Sequence, residues 1–273
     1  MSAGTQPAYK LEVHGVSHWF THEQTGEQVH ALSDVDLQIG EGEFVTLVGP
    51  SGCGKTTLLN AIAGFIRPTE GTLLCDGAPI TGPGRDRGVV FQDLAILPWR
   101  TVRRNIAHGL EIAKVSKEEQ QRRVERLIEL MGLEGFEDRH PHELSGGMKQ
   151  RVAVARTWAA DPEVILMDEP FAAVDAMTRL TLQEELSRLC VSTGKTVVFI
   201  THSVEEAVFL GDRVIAMSPR PGQITEEVVV SRPRGERDWA AFTADQQMSA
   251  IVEKVLGLVR SPSDLDRHPP LAS

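Results

Sequence analysis

The sequence predicts an α/β fold in which helices flank a parallel sheet. Four short, continuous apolar runs punctuate the chain, a pattern that suits strands buried on both faces. Segments with helical periodicity lie between them, and such strand–helix alternation marks α/β domains. Each run ends in polar or glycine-rich residues. If the runs are parallel strands, those ends share one edge of the sheet, where ligands of open α/β sheets bind.

In chain order, residues 13–39 read as strands and turns. Phe44–Val48 is the first apolar run and leads into Gly49-Pro50-Ser51-Gly52-Cys53-Gly54-Lys55-Thr56-Thr57, with a helix expected over Thr57–Ala63. Gly88–Phe91 leads into Gln92. Ser116-Lys117-Glu118-Glu119 has capping-box spacing and opens a helix carrying Val124, Leu127, Ile128 and Met131 on one face, closed by Gly132. Ser145 is a candidate N-cap for a helix over Met148–Ala160, which Asp161-Pro162 stops. Val164–Met167 runs into Asp168-Glu169-Pro170. Leu182, Leu186, Leu189 and Cys190 share one face of a helix over Thr178–Cys190. Thr196–Ile200 leads into Thr201-His202, and Ser203-Val204-Glu205-Glu206 reads as a second capping box whose helix ends at Gly211. Beyond about Arg220 come a Pro-Gly turn, a possible edge strand over Glu226–Val230 and an amphipathic helix over Met248–Val259 with Ile251, Val255, Leu258 and Val259 on one face. Residues 261–273 carry three prolines and are expected to be disordered.

Composition narrows the function. The chain has 273 residues, with 28 Lys and Arg against 38 Asp and Glu, a net charge of −10 that argues against nucleic acid as the main partner. No apolar run approaches the length of a membrane-spanning helix, and the first residues lack the pattern of a signal peptide. Cys53, Cys75 and Cys190 form no Cys-x-x-Cys or Cys/His cluster and read as reduced thiols of a cytosolic protein.

The segment Gly49 to Thr56 fits the phosphate-loop pattern G-x-x-x-x-G-K-[ST]. Its glycines let backbone N–H groups face phosphates, and the helix behind presents its positive end. Lys55 would reach the β- and γ-phosphates, and the Thr56 hydroxyl would ligate Mg²⁺. Asp168 at a strand end suits the same cation, and Glu169 suits polarising an attacking water. Gln92 is placed to contact metal or water, and His202 to hydrogen-bond a phosphate oxygen. Ser145-Gly146-Gly147 forms a second helix start open to a phosphate or, equally on physical grounds, a plain cap.

Together these residues resemble the nucleotide-binding subunit of ATP-binding-cassette (ABC) transporters. The likeness covers about Leu11 to Gly222, in the order phosphate loop, Gln92, LSGGMKQR, ILMDEP, Asp175, His202. It implies a P-loop NTPase (RecA-like) parallel-sheet core with an N-terminal antiparallel β subdomain. A helical subdomain over about residues 94–160 would be inserted in it, and 223–273 would be a C-terminal extension, read as a packing appendage or partner contact. The resemblance further implies a head-to-tail pair of cassettes with ATP between Lys55 of one chain and Ser145-Gly146-Gly147 of the other. Glu169 would be the catalytic base, His202 would contact the γ-phosphate and Asp175 would sit at the dimer interface. Phe20, or alternatively Trp19, would stack on adenine.

A narrower resemblance, carried by TGPGRDRGVVFQDLAILPWRTVRRNI and ITHSVEEAVFLGDRV, is to importer subunits for nitrate, aliphatic sulfonates and taurine. It implies that Leu94–Asn105, with Pro98-Trp99 most characteristic, receives a membrane permease, and that an extracytoplasmic solute-binding protein delivers the solute. The subunit would act at the cytoplasmic membrane face. A cassette for export or for another solute, and a soluble non-transport ABC ATPase, are the alternatives. The chain departs from the family pattern at Ala172-Ala173-Val174, Ser203 and Thr157-Trp158.

Overall fold

The computed structural model describes residues 9–22 and 24–259. The start of the chain and the tail expected to be disordered lie outside these residues. Two long strands come first, β1 (Tyr9–Thr21) and β2 (Gln28–Gly40), then β3 (Phe44–Val48) and α1 (Lys55–Ala63). Next are β4 (Glu70–Cys75), the two-residue β5 (Ala78–Pro79), β6 (Arg87–Val90), α2 (Val102–Ile112), α3 (Lys117–Leu130) and α4 (Gly146–Ala159). The chain continues with β7 (Val164–Asp168), α5 (Ala176–Thr193), β8 (Thr196–Ile200), α6 (Val204–Leu210), β9 (Arg213–Met217) and β10 (Ile224–Val229). It ends, among the described residues, in α7 (Trp239–Ala244) and α8 (Gln246–Val259).

The strands form two sheets. A four-stranded antiparallel sheet runs β2-β1-β4-β5, and a six-stranded sheet runs β10-β9-β3-β8-β7-β6. In the larger sheet β9, β3, β8, β7 and β6 are mutually parallel, and β10 pairs antiparallel on the edge. All four apolar runs are strands of it. β3 and β8 are buried at every position. Their alternate side chains feed two cores, as the two-residue period of a strand requires. Val45, Leu47, Val198 and Ile200 join α1 and the antiparallel sheet, while Phe44, Val197 and Phe199 join the helices on the opposite face.

The structure adds elements the pattern did not expose. β9 is a fifth parallel strand, and α2 is a full helix capped by Thr101, whose side chain accepts from the Arg104 amide. α2, α3 and α4 pack on one another. Helix α1 begins at Lys55, two residues before the expected start, and α4 begins at Gly146 directly after its Ser145 cap.

Both capping boxes are only half formed. Ser116 and Ser203 each accept from the amide three residues on, as expected. Glu119, however, bonds Arg122 and Arg123 rather than reaching back. Glu206 is buried and accepts from Thr201 Oγ1 and Gln183 Nε2 instead. The S-x-x-E spacing is met as readily by a glutamate that turns into the protein as by one that turns back to the cap.

The C-terminal segment packs on the body of the chain. Met248 and Val255 of α8 and Phe242 of α7 lie in the same core as α6, with Ile251, Leu258 and Val259 partly buried against it. All three cysteines are unpaired and buried, and burial pushes the Cys190 thiol up to about 12.

Candidate functional site

The carboxyl ends of the parallel strands supply the site. β3 runs into the phosphate loop, β6 toward Gln92, β7 into Asp168-Glu169, β8 toward His202 and β9 toward Arg220. A cleft of about 530 Å³ is lined by Phe20, Lys55, Thr56, Gln92, Glu169 and His202, together with Gly49, Ser51, Gly52, Cys53, Gly54 and Thr57.

The loop closes as its glycines dictate. Gly54 caps α1 at φ 106°, and a Cβ there would sit 2.7 Å from Leu32 Cδ2 and 2.8 Å from the Ala31 carbonyl, so β2 packs where a side chain would go. Lys55 is buried with its Nζ donating to the Gly49 and Pro50 carbonyls at 2.8 and 3.1 Å. The ammonium therefore lies folded against its own loop. Pro50 contributes only that carbonyl and does not line the cleft.

Thr56 Oγ1 lies 3.3 Å from Asp168 Oδ1. Burial holds the Asp168 carboxyl above its ordinary value, with the bond from Thr56 opposing and the neighbouring Glu169 adding to the effect. Glu169 follows with φ 44°, in the left-handed region that a non-glycine residue rarely adopts, and its amide donates to the Ile200 carbonyl at 3.0 Å. That crosslink to β8 holds the turn in a costly conformation, of the kind that collects at functional sites. His202 Nδ1 stands 3.4 Å from Glu169 Oε2.

Phe20 and Trp19 are separated by strand alternation. Phe20 is exposed at the cleft wall, whereas Trp19 stacks on His30 with ring centroids 4.2 Å apart. Of the two expected candidates for stacking, Phe20 is the one that lines the cleft.

Six predicted residues are absent from the lining of this cleft; Pro50 and Asp168 adjoin it, and the other four lie elsewhere. Ser145 and Gly146 are exposed at the start of α4, outside the lining of the cleft. Gly147 is buried against α5: a Cβ there would meet Thr178 Cγ2 at 2.6 Å. Asp175 caps α5, its side chain accepting from the Thr178 amide at 3.1 Å. The Ser145 and Asp175 helix starts thus lie side by side on a second surface.

The sequence reading missed Arg220, which lines the cleft and donates to the Gly52 carbonyl at 3.2 Å. Its only signal was a place just beyond β9, a strand that was itself missed. In the Leu94–Asn105 stretch, Trp99 is 73% exposed rather than packed into a turn. Asn105 points the other way: fully buried, it accepts from the Leu97 amide and donates to the carbonyls of Leu97, Arg100 and Thr101, which clamps the turn that displays Trp99.

Residues 32–172, spanning the phosphate loop, Gln92, the Ser145 helix start and the Asp168–Glu169 pair, match the family model described as ABC transporter. The chain belongs to that family. It is an ATP-binding subunit of the ABC transporters, a family of ATPases. A relative from Methanocaldococcus jannaschii, an uncharacterized ABC transporter ATP-binding protein, is 53% identical over 227 residues, 82% of this chain and 84% of its own. The taurine import ATP-binding protein of Rhizobium johnstonii is 46% identical over 243 residues, 88% of this chain and 93% of its own. The dimeric structure of an ATP-binding cassette in a post-hydrolysis state, bound to ADP and Pi, superposes with a TM-score of 0.71 at 34% identity, covering 81% of this chain and 99% of that one. Among the described residues of this ABC subunit no helix is long and apolar enough to cross a membrane.

Proposed function

We propose that this ABC subunit hydrolyses ATP to power import of a small solute of the taurine, aliphatic-sulfonate or nitrate type, working as a pair of cassettes on the cytoplasmic face of the cell membrane. The observation that carries the chemistry is the convergence of Lys55, Thr56, Gln92, Glu169 and His202 on one cleft, with Asp168 beside Thr56. The solute class draws on relatives named as taurine import ATP-binding proteins.

The loop amides from Gly49 to Thr57 hold the phosphates, and Lys55 leaves its loop carbonyls for the β- and γ-phosphate oxygens. Phe20 stacks on the adenine. Thr56 and Asp168, 3.3 Å apart, fit a hard divalent cation with Gln92 as a further oxygen donor. Among the described residues no group of three or more His, Cys, Asp or Glu side chains suits a metal. That fits Mg²⁺, which is held through one or two carboxylates plus substrate phosphates. Bound there, Mg²⁺ would neutralise phosphate charge. Glu169 takes the proton of a water whose oxygen attacks the γ-phosphorus, and ADP departs. His202 donates to a γ-phosphate oxygen and is oriented by Glu169.

The Ser145-Gly146-Gly147 start, with Ser145 and Gly146 exposed, closes over the γ-phosphate held by the partner cassette, and Asp175 beside it lines the dimer seam. Trp99 on its clamped turn presents the contact for a membrane permease. An extracytoplasmic binding protein delivers the solute, so no residue of this subunit encodes solute choice.

Pull-down of the tagged subunit from detergent-solubilised membranes tests the transport reading. Recovery of a multi-span membrane protein with a solute-binding protein is the expected result. Recovery of soluble partners alone would leave the ATPase and remove the importer.

A further inference from the structure

We propose that Arg237, in the segment after the last strand, is a positioning residue for His202 and acts through α6. The proposal rests on the reading of His202 as the γ-phosphate contact.

Helix α6 has seven residues, with His202 and its cap Ser203 at one end and Gly211 at the other. Arg237 is buried at that far end. Its guanidinium donates to the carbonyls of Val208, Phe209 and Gly211 at 3.1, 2.9 and 2.8 Å, and its Nε to Arg232 O at 2.8 Å. No carboxylate pairs with it among the described residues. Its direct partners are the carbonyls at the end of α6, the negative end of the helix dipole, with the Asp212 carboxylate acting on it from nearby. Burial brings the guanidinium down to about 10, so it stays protonated at neutral pH.

Neighbouring side chains hold the segment to the helix. Trp239 stacks on Phe209 with centroids 4.2 Å apart, and Phe242 meets both rings edge-on at 5.5 and 5.1 Å. Arg234 Nε donates to Asp212 Oδ1 at 3.0 Å, and Asp212 Oδ2 accepts from the amide of Phe44, the first residue of β3. The same short stretch therefore grips the base of the strand that leads to the phosphate loop and the base of the helix behind His202.

The other end of α6 is also fixed. Glu206 accepts from Thr201 and Gln183, and Thr201 Oγ1 accepts from the Ser203 amide at 3.0 Å. A two-turn helix packed this tightly moves as a unit, because close-packed interiors have discrete arrangements rather than a continuous range. Releasing its carbonyl end shifts His202 relative to Glu169. Arg237 exposes almost nothing for a partner to read, which leaves the clasp on α6 as its work.

The test uses Arg237→Lys, which keeps the charge but gathers its three donors on one nitrogen, so it cannot hold the carbonyls of α6 and Arg232 together as the planar guanidinium does. Trp239→Leu serves as a second variant that leaves the charge untouched. ATP turnover is measured well below each variant's melting temperature, in wild-type and His202→Ala backgrounds. The expected result is a fall in kcat of about tenfold with KM changed less than about twofold. In the His202→Ala background the further fall should vanish, because residues that act through one another are not additive. Unchanged kcat in both folded variants, a loss confined to KM, or the same fold-loss without His202 would overturn the proposal. If His202→Ala alone leaves turnover intact, the reading of His202 is wrong and the positioning role falls with it.

Discussion

The cleft at the strand ends and the ledge at the start of α4 are built from the same chemistry, yet only one is complete. In the cleft, the ends of β3, β7 and β8 deliver a phosphate cradle, a lysine, a hydroxyl–carboxylate pair, a strained glutamate and a histidine. On the ledge, Ser145 and Gly146 are exposed with their helix start open, while Gly147 packs against Thr178 of α5 and Asp175 caps that helix. A single chain thus carries one lined cleft and, outside that lining, one open helix start. The solved neighbour with ADP and Pi is dimeric. The contrast explains why two glycines follow the serine: one leaves backbone amides free, and the other lets two helix starts touch.

The largest expected effect is on the cleft side. Glu169→Gln should leave ATP binding intact and slow hydrolysis by roughly 10²–10⁴-fold, the range for loss of a general base. With Mg-ATP the variant should run as a dimer on gel filtration. A variant that turns over normally and stays monomeric would remove Glu169 from the role of base.

The ledge is broken by Ser145→Arg, which places a bulky cation on an exposed position. Alone it should still bind ATP but hydrolyse about 10²-fold more slowly, comparable to losing a transition-state hydrogen-bond donor. Lys55→Ala should fail from the cleft side. Mixing the two inactive variants gives the sharper result, because a head-to-tail dimer of one with the other keeps one intact pair of Lys55 and Ser145. Recovery of about a quarter of wild-type activity is expected from random pairing. No recovery at any ratio would mean that the ledge does not serve the partner's nucleotide.

The two regions also differ in how far the sequence revealed them. The cleft was legible because its signals are local: a continuous apolar run places a buried strand, and the residue after it must lie on the ligand edge. That logic pointed to Lys55, Gln92, Glu169 and His202, which line the cleft, and to Asp168 beside Thr56. It missed β9 and hence Arg220, because that run ends in Ser218-Pro219, which signals only a turn. The ledge was half legible. Ser145 reads as a cap on sight, but the contact of Gly147 with Thr178 joins residues 31 positions apart and leaves no trace in spacing. Glu206 was misread for a related reason. A capping-box pattern reports only neighbours in sequence, and the partner that turned this side chain inward is Gln183 on another helix.

Glu206 gives the smallest effect and the one most sensitive to pH. Burial raises its carboxyl above the ordinary 4.5, while Thr201, Gln183, Arg179 and His202 oppose that shift. The folded state therefore holds the proton longer than the unfolded chain does. Below pH 4.5 both states are protonated and the group is neutral toward folding. As pH rises from there through the raised folded value, the unfolded chain ionises first and stability is lost. Glu206→Gln keeps an oxygen to accept from Thr201 and removes the buried charge. Its melting temperature should exceed wild type by a few degrees at neutral pH, and the gap should close toward pH 4. A gap of the same size at both ends of the range would mean that ionisation of Glu206 plays no part. A variant less stable at neutral pH would mean that the carboxylate is needed as the acceptor that fixes α6 beside His202.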